Sequence, residues 1–541
     1  MCSYIRGEIS ITAFKNRTSG LLLPIFSLPS NSGIGTLGKS AYDFVRFLKK
    51  SGQKYWQILP VCPPAKADSP YLSYSARAGN PYLIDVDWLV GDGWISEDEK
   101  ATAGIKPAPI DEKSAKKFGS PYASAFIDYD QVKESRNKLF SILYKNFFAK
   151  LPDDYAEFCE EHDDWLQDYA LFMTLLEEFK YTELHEWPDE YKYRDKQALQ
   201  SYADKHEYDI NYHKMLQYFF YTQWRSLQKF AHENDVKIIG DIPLYVALTS
   251  ADAWVEPKIF DINEDFSVSV YSGCPPNKAH NKQSKGQIWD SPVYNWDYLK
   301  ETNYKWWINR IKDALDLYDI VRLDHFKGFE KFYNISAETR DPKTGHWKKG
   351  PGFELWEAIA KELGYKKVAD LPLFAEDLGI YTPELKELVD KCQFEGMKVI
   401  QYAFNETQYA DQYIGDKRKD FKNKYLPQNY EKNFVAYVGT HDTNTILGYI
   451  DEALPEVLGN CQNYYEETDP HKLSKLMIED MINSKANICI LLVQDLLELA
   501  QDARINTPGT VGINWKWQLS DEEFNKLDAK KLLEMTKTSG R

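Results

Sequence analysis

The sequence predicts an α/β fold, a (β/α)8 TIM barrel of parallel strands with inserted subdomains around its C-terminal face. Three observations carry this expectation. Strand-length apolar, β-branched or aromatic runs recur eight times, at 20–26, 55–60, 236–246, 319–326, 372–378, 397–404, 433–440 and 502–506. Helix-period segments lie between most of them, at 40–50, 214–233, 305–317, 353–363, 383–391 and 474–500. Strands alternating with helices imply a parallel sheet with right-handed crossovers. Thirdly, the runs through Arg322-Leu323-Asp324, Phe374-Ala375-Glu376 and Thr440-His441-Asp442 end in carboxylates. An acid is costly against an apolar strand unless paired or exposed in a cleft, so three such endings imply strands converging on one polar pocket.

Taken in order, the first run, Gly20-Leu21-Leu22-Leu23-Pro24-Ile25-Phe26, is nearly all apolar, as a strand buried on both faces should be. Next, Gly33-Ile34-Gly35-Thr36-Leu37-Gly38 fits the dinucleotide fingerprint G-x-G-x-x-G before a helix. The following strand, however, ends Ile58-Leu59-Pro60-Val61-Cys62 with no acid for a ribose, so we discount a nucleotide site. The connection from 61 to 213 is too long for a crossover; a Pro- and Ser-rich loop leads into a Trp/Tyr-rich helical stretch at 154–195. We expect an inserted, mainly helical subdomain there, and a long substrate-cleft loop at 247–300, within one catalytic domain spanning 1–541. Neither stretch shows a repeat or a low-complexity tract.

In a strand, residues two apart share a face, so Arg322 and Asp324 project together. A guanidinium beside a carboxylate keeps it ionised, which suits a nucleophile; the same pair also serves as a structural ion pair closing a barrel end. Glu376 has the opposite setting. Its apolar approach through Leu373, Phe374 and Ala375 raises its pKa and keeps it protonated as a general acid. Asp377 points the other way and is expected to cap the helix that begins at Thr382-Pro383. His441-Asp442 follows Gly439-Thr440, where the backbone can turn sharply, or simply continue as a loop. Paired carboxylates in a pocket are what glycosidic-bond chemistry needs.

Composition narrows the classes. A formal charge of −16, from 82 acidic and 66 basic residues, repels a phosphate backbone, which argues against nucleic acid as a partner. Seven cysteines with no C-x-x-C pair read as isolated thiols of a reducing compartment. With no export-type N-terminus and no membrane-length apolar run, a cytoplasmic location is expected. No metal or cofactor motif appears among the ten scattered histidines. Aromatic residues reach 15%, and their rings can stack on sugar faces, although most aromatics in any protein fill the core.

Several segments together resemble the amylomaltases, the 4-α-glucanotransferases of glycoside hydrolase family 77, relatives of the α-amylases. The resemblance runs through Gly33 to Gly38, Asp68-Ser69-Pro70-Tyr71 with Ala78-Gly79-Asn80-Pro81-Tyr82, Gly240-Asp241-Ile242-Pro243 and Gly286-Gln287-Ile288-Trp289. It continues through Arg322 to Phe326, Ala375 to Gly379, Gly439 to Asp442, Asn506-Thr507-Pro508-Gly509-Thr510 and Asn514-Trp515-Lys516-Trp517. It implies Asp324 as nucleophile, Glu376 as general acid/base and Asp442 as the carboxylate that grips sugar hydroxyls. It further implies Arg322, His441 and Asp241 along the donor subsite, Tyr71 stacked on the sugar with Ser69 nearby, and Trp289 and Asn506 on the glucan further along. The implied activity is transfer of α-1,4-glucan segments between maltooligosaccharides, or maltodextrin and glycogen-derived glucans, without cofactor or metal. A retaining α-glucan hydrolase of amylase type is the nearest alternative, and a glucan-binding protein without turnover a more distant one. The chain departs from the family pattern in a longer, more basic loop at 274–285 with Asn277 for the common Asp. It departs too at Asp290 for Gly, Thr443-Asn444 for Asn-Asp and Gln518 for Arg.

Overall fold

The computed structural model describes residues 16–276, 285–379, 382–404 and 423–541. Eight strands make one parallel sheet: β1 Thr18–Leu22, β2 Tyr55–Gln57, β3 Lys237–Ile242, β4 Ile320–Leu323, β5 Leu373–Ala375, β6 Gly396–Val399, β7 Phe434–Tyr437 and β8 Ile488–Leu492. Each pairs in parallel with its sequence neighbour, and β8 returns to β1 through Thr18↔Ile488 to Leu22↔Leu492. Between β5 and β6 a single bridge, Phe374 with Glu395, carries the ring across, and the Ala375 N–H donates to the Glu395 carbonyl at 2.8 Å. The result is a nearly closed (β/α)8 barrel.

The crossovers are α1 Lys39–Lys50, α2 Glu207–Glu233, α3 Lys305–Leu317, α4 Phe353–Glu362, α5 Pro383–Cys392 and α6 Pro470–Asn483, with α7 Ala529–Thr538 closing against α1. Most strand residues are buried, as a helix-jacketed parallel barrel requires. Gly240 in β3 shows how tight the jacket is. A Cβ there would lie 2.1 Å from the Tyr318 ring.

One aromatic cluster matters for the site. Trp356 of α4 is fully buried against Phe326, Phe329 and Phe394, at ring separations of 5.6, 4.9 and 5.3 Å. Burying such a ring removes about 150–250 Å² from water, roughly 4–6 kcal/mol before entropy is counted. Because Phe326 and Phe329 lie two and five residues after Asp324, that packing pins the turn after β4.

Three sequence expectations need correction. The eighth strand is Ile488–Leu492, inside the segment read as one helix over 474–500, whereas Gln501–Ala503 is a single 3-10 turn and 504–506 joins no strand. Pro24, Pro60 and the turns after β5 to β7 also end their strands earlier than the apolar runs do. The 247–300 stretch is more than a loop: Val270–Cys274 and Gln287–Ile288 join Lys331–Ser336 and His346–Lys349 in a four-stranded antiparallel sheet. Residues 61–213 carry helices that include Tyr129–Ala149 and Leu166–Glu178, both packed on α2, and position 213 itself lies within α2.

The G-x-G-x-x-G segment holds a carboxylate where a phosphate would sit. Asp85 accepts a 2.5 Å bond from the Thr36 hydroxyl and lies 1.9 Å from where a Gly38 Cβ would be. Among the described residues no helix is long and apolar enough to cross a membrane.

Candidate active site

The site is built on the C-terminal ends of adjacent strands. Register pairs Asp241 of β3 with Arg322 of β4, and Val321 and Leu323 of β4 with Leu373 and Ala375 of β5. One step further, Asp324 and Glu376 stand side by side at neighbouring strand ends, and parallel register turns them to the same face. The Arg322 guanidinium is buried, and its Nη1 donates to both Asp241 oxygens at 2.9 and 2.7 Å and to Asp324 Oδ1 at 2.9 Å. Asp241 is sealed from solvent, while the Asp324 side chain keeps about a quarter of its surface exposed (25%). Burial works against the arginine's charge, but Asp241 and Asp324 outweigh it and raise its pKa well above the ordinary value. Strand pairing extends past β4, since the Asp324 N–H donates to the Ile242 carbonyl at 3.1 Å.

Glu376 is set differently. Its Oε2 accepts the His325 N–H at 3.0 Å and its Oε1 accepts the Leu378 N–H at 2.9 Å. Desolvation dominates and pushes its pKa up to about 8; Arg322 opposes the rise and Asp324 adds to it. His325 takes a left-handed backbone conformation (φ 48°), and its ring meets Trp289 edge-on at 4.8 Å. Burial pushes the His325 ring down to about 4. Asp377 does turn away from Glu376, but not to cap a helix: it accepts the Met397 N–H at 2.8 Å, and Thr382 caps α5.

Asp442 completes the ring of acids. Asn506 donates to its Oδ1 at 2.6 Å and His441 Nε2 lies 3.3 Å from its Oδ2. Burial favours protonation, yet His441, Asn506 and Arg322 hold this carboxyl well below the usual range. Tyr71 ties both halves together, donating from its hydroxyl to Asp241 at 2.7 Å while its ring stacks on His441 at 5.1 Å. Ser69 is one link back, its hydroxyl oxygen accepting the Tyr71 N–H at 3.3 Å. Thus Asp324, Glu376, Asp442, Arg322, Asp241, His441, Tyr71 and Asn506 come together, with Ser69 and Trp289 at the edge through their neighbours. Asn277 lies outside the described residues.

The whole architecture has close relatives. The profile of glycoside hydrolase family 77, described as 4-α-glucanotransferase, matches residues 23–524. The chain belongs to that family. It is 39% identical to the 4-α-glucanotransferase of Clostridium butyricum over 519 residues, covering 96% of this chain and 99% of the relative. The 4-α-glucanotransferase of Streptococcus pneumoniae is 37% identical over 530 residues, with 96% and 97% covered. The amylomaltase from Streptococcus agalactiae in complex with acarbose superposes with a TM-score of 0.86 at 34% identity, covering 97% of this chain and 99% of that one.

Three side chains of this 4-α-glucanotransferase family member went unassigned by sequence reasoning. Arg504 donates to the Asp442 carbonyl at 3.0 Å and to the Asn506 carbonyl at 2.8 Å, tying together the two loops that present them. Trp515, in a left-handed conformation (φ 66°), packs against Tyr71 and His441 at 5.6 and 6.1 Å. His325 aligns Glu376 through its backbone. Trp515 sits within a quoted motif, and His325 follows Asp324; only Arg504 lay hidden, in a segment misread as strand. Among the described residues no group of three or more His, Cys, Asp or Glu is placed to hold a metal ion.

Proposed function

We propose that this 4-α-glucanotransferase moves α-1,4-glucan segments between maltooligosaccharides by a retaining double displacement, with Asp324, Glu376 and Asp442 as its catalytic residues. Glu376 protonates the bridging glycosidic oxygen while an Asp324 oxygen attacks the anomeric carbon. The C–O bond breaks, the reducing-end fragment leaves as an alcohol, and a glucanyl ester remains on Asp324. Glu376, now ionised, takes the proton from the 4-hydroxyl of a second glucan, whose oxygen displaces Asp324 and restores the starting state. Asp442 receives sugar hydroxyls as an ionised acceptor, and Tyr71 offers its ring and Arg322 its charge beside the donor sugar.

The observation that carries this reading is the split between two neighbouring carboxyls: Asp324 bonded to a buried guanidinium, Glu376 desolvated with its pKa pushed to about 8. Those are the settings of a nucleophile and an acid. The acarbose held by the S. agalactiae amylomaltase supports a glucan substrate. We treat 61–213 and 247–300 as insertions walling the cleft, and place the reaction in the cytoplasm because the six described cysteines are free thiols.

Transfer in place of hydrolysis requires preferring a millimolar sugar over water at about 55 M, a rate ratio of roughly 10⁴ or about 5.5 kcal/mol. Acceptor positioning supplies such amounts. Incubation with maltotriose reads the outcome: glucose plus a ladder of longer chains is expected. A steady growth of reducing ends without the ladder would replace transferase with hydrolase.

A further inference from the structure

Residues 58–80, which carry Ser69 and Tyr71, form no helix and only one isolated bridge, Pro64 with Ser73. Such a segment must be fixed from outside if Tyr71 is to hold one position. Arg77 supplies a tie of this kind to two other parts of the molecule at once. Its Nη1 donates at 2.7 Å to Asp164, just before helix Leu166–Glu178, and its Nε lies 2.6 Å from one Asp313 oxygen on α3. Nη2 adds a 3.3 Å bond to the other Asp313 oxygen, and the guanidinium lies 5.7 Å over the Trp165 ring. From α2, the Tyr221 hydroxyl donates to the Arg77 carbonyl at 2.7 Å. One residue thus joins the Tyr71 segment to the inserted helices and to the barrel's own crossover.

The two ion pairs are unequal. The Asp164 side chain keeps 53% of its surface exposed, so solvent screens that pair. Asp313 keeps 27%, and burial pushes its carboxyl up to about 6; Arg77 opposes the rise, Asp164 adds to it and Lys312 opposes it weakly. Tyr221 and His162 are the other titrating groups around the pair. Burial raises the first and, together with Arg225 and Arg77, lowers the second, so both are neutral near pH 7.

A cavity of only about 20 Å³, room for a single water, lies between this clamp and the donor subsite. Arg77 and Pro70 bound it from the segment, Arg310 and Asp313 from α3, and Asp241 from the end of β3. Pro70 directly precedes Tyr71, whose hydroxyl donates to that same Asp241. With so little slack, a shift at Arg77 is passed on to Pro70 and Tyr71.

We propose that Arg77, held by Asp313, is a positioning residue for Tyr71: it locks the Tyr71 segment onto α3 and so fixes that ring and hydroxyl beside the reacting sugar. The inference rests on the glucan-transfer reading above, in which Tyr71 lies beside the donor sugar. It carries a pH dependence, because protonation of Asp313 below about 6 removes the charge that holds Arg77.

The test measures glucose release from maltotriose, which transfer and hydrolysis both give. It compares wild type, Arg77→Met, Arg77→Lys, Asp313→Asn, Tyr71→Ala, and Tyr71→Ala combined with Arg77→Met. Arg77→Met should lower kcat/KM about fivefold in the wild-type background and less than about twofold beside Tyr71→Ala, because residues that act through one another do not add. Arg77→Lys should recover part of the loss, since an ammonium still pairs with Asp313 but lacks the fork that also reaches Asp164. The ratio of wild type to Asp313→Asn should fall from about fivefold at pH 7.5 to less than about twofold at pH 5, every other titrating group cancelling in it. Equal losses from Arg77→Met in both backgrounds, or a ratio that does not move with pH, would overturn the proposal, because a purely structural role predicts both. If Arg77→Met does not fold, Arg77→Lys takes its place in the cycle and the pH ratio is read independently. Tyr71→Ala with wild-type glucose release would overturn the placing of Tyr71 and this proposal with it. A digest without longer chains would overturn only the transferase reading, and the same rates would still decide the coupling.

Discussion

Replacing Glu376 by Gln removes a titration while keeping the shape, so its effect on stability can be worked out in sign and size. The carboxyl's pKa rises from an ordinary 4.5 to about 8 on folding, chiefly through desolvation. A group raised in this way contributes stability that is fully present below 4.5 and is lost as pH climbs to about 8, since the folded protein holds a proton the unfolded chain has released. At about 1.36 kcal/mol per pH unit, the loss accumulates to roughly 5 kcal/mol. For a chain of 541 residues, with about 2.1 cal/mol/K of unfolding entropy per residue, that is about 4 °C in Tm. Between pH 5 and 8.5 about 3.8 kcal/mol of that loss is realised, so calorimetric melts at those two values should show wild type losing about 3 °C more than Glu376→Gln, because every other titrating group is common to both. Activity gives a second reading. As the acid deprotonates, wild-type kcat/KM should fall along an alkaline limb centred near 8. Parallel Tm profiles for the two proteins, or a rate that stays level past pH 9, would refute the assignment of Glu376 as a desolvated acid.

Asp324→Ala should reduce maltotriose disproportionation to background while calorimetry still detects maltoheptaose binding; surviving activity would remove Asp324 as nucleophile. Arg322→Met strands Asp241 in the interior without its cation, at a cost of about 3–5 kcal/mol, so its melting temperature should drop by about 3–4 °C. Arg322→Lys should not restore activity, because a flexible ammonium replaces the rigid guanidinium whose Nη1 reaches Asp241 and Asp324 together. Asn506→Ala deletes the bond to Asp442, and losing a hydrogen bond to a charge, about 1.5–3 kcal/mol, predicts a roughly 10- to 150-fold drop in kcat/KM in steady-state assays.

The strands whose ends carry acids were legible because an acid after an apolar run is a rare and physically loaded pattern. Seven barrel strands and the five helices read at 40–50, 214–233, 305–317, 353–363 and 383–391 fell where periodicity put them, with strand ends overrun because apolar side chains continue into the buried turns. The eighth failed for a definite reason. Ile488 to Leu492 is a continuous apolar run, buried along its length, and periodicity does not separate such a strand from a buried helix. Met477, Ile478, Met481 and Ile482 before it keep helical spacing, which extended the helix across Asn483-Ser484, where α6 ends. Arg504-Ile505-Asn506, read as part of the eighth strand, is irregular backbone after a 3-10 turn. Its backbone partners, Trp515 to Ile505 at 2.8 Å and Asn506 to His441 at 3.1 Å, belong to turns no local pattern announces. The Asp290–Arg340 pair was out of reach in the same way, since it joins positions 50 residues apart.

The division of labour between Asp324 and Glu376 follows from which strand carries the cation. Both acids end adjacent strands in matching register, so strand position alone gives them similar surroundings. Arg322 lies two residues before Asp324 on the same strand and leans toward β3, where Asp241 takes two of its contacts. Asp324 receives the third directly; Glu376, one strand over on β5, feels the guanidinium only at a distance and meets backbone N–H groups at hydrogen-bond range. Asp241 therefore does more than neutralise a buried charge. By holding Arg322 on the β3 side, it keeps the cation from Glu376 and so preserves the proton that the first half-reaction consumes. A substitution such as Asp241→Asn, which frees the guanidinium to swing, should pull the alkaline limb of the rate profile below 8 even though Asp241 touches neither reacting oxygen.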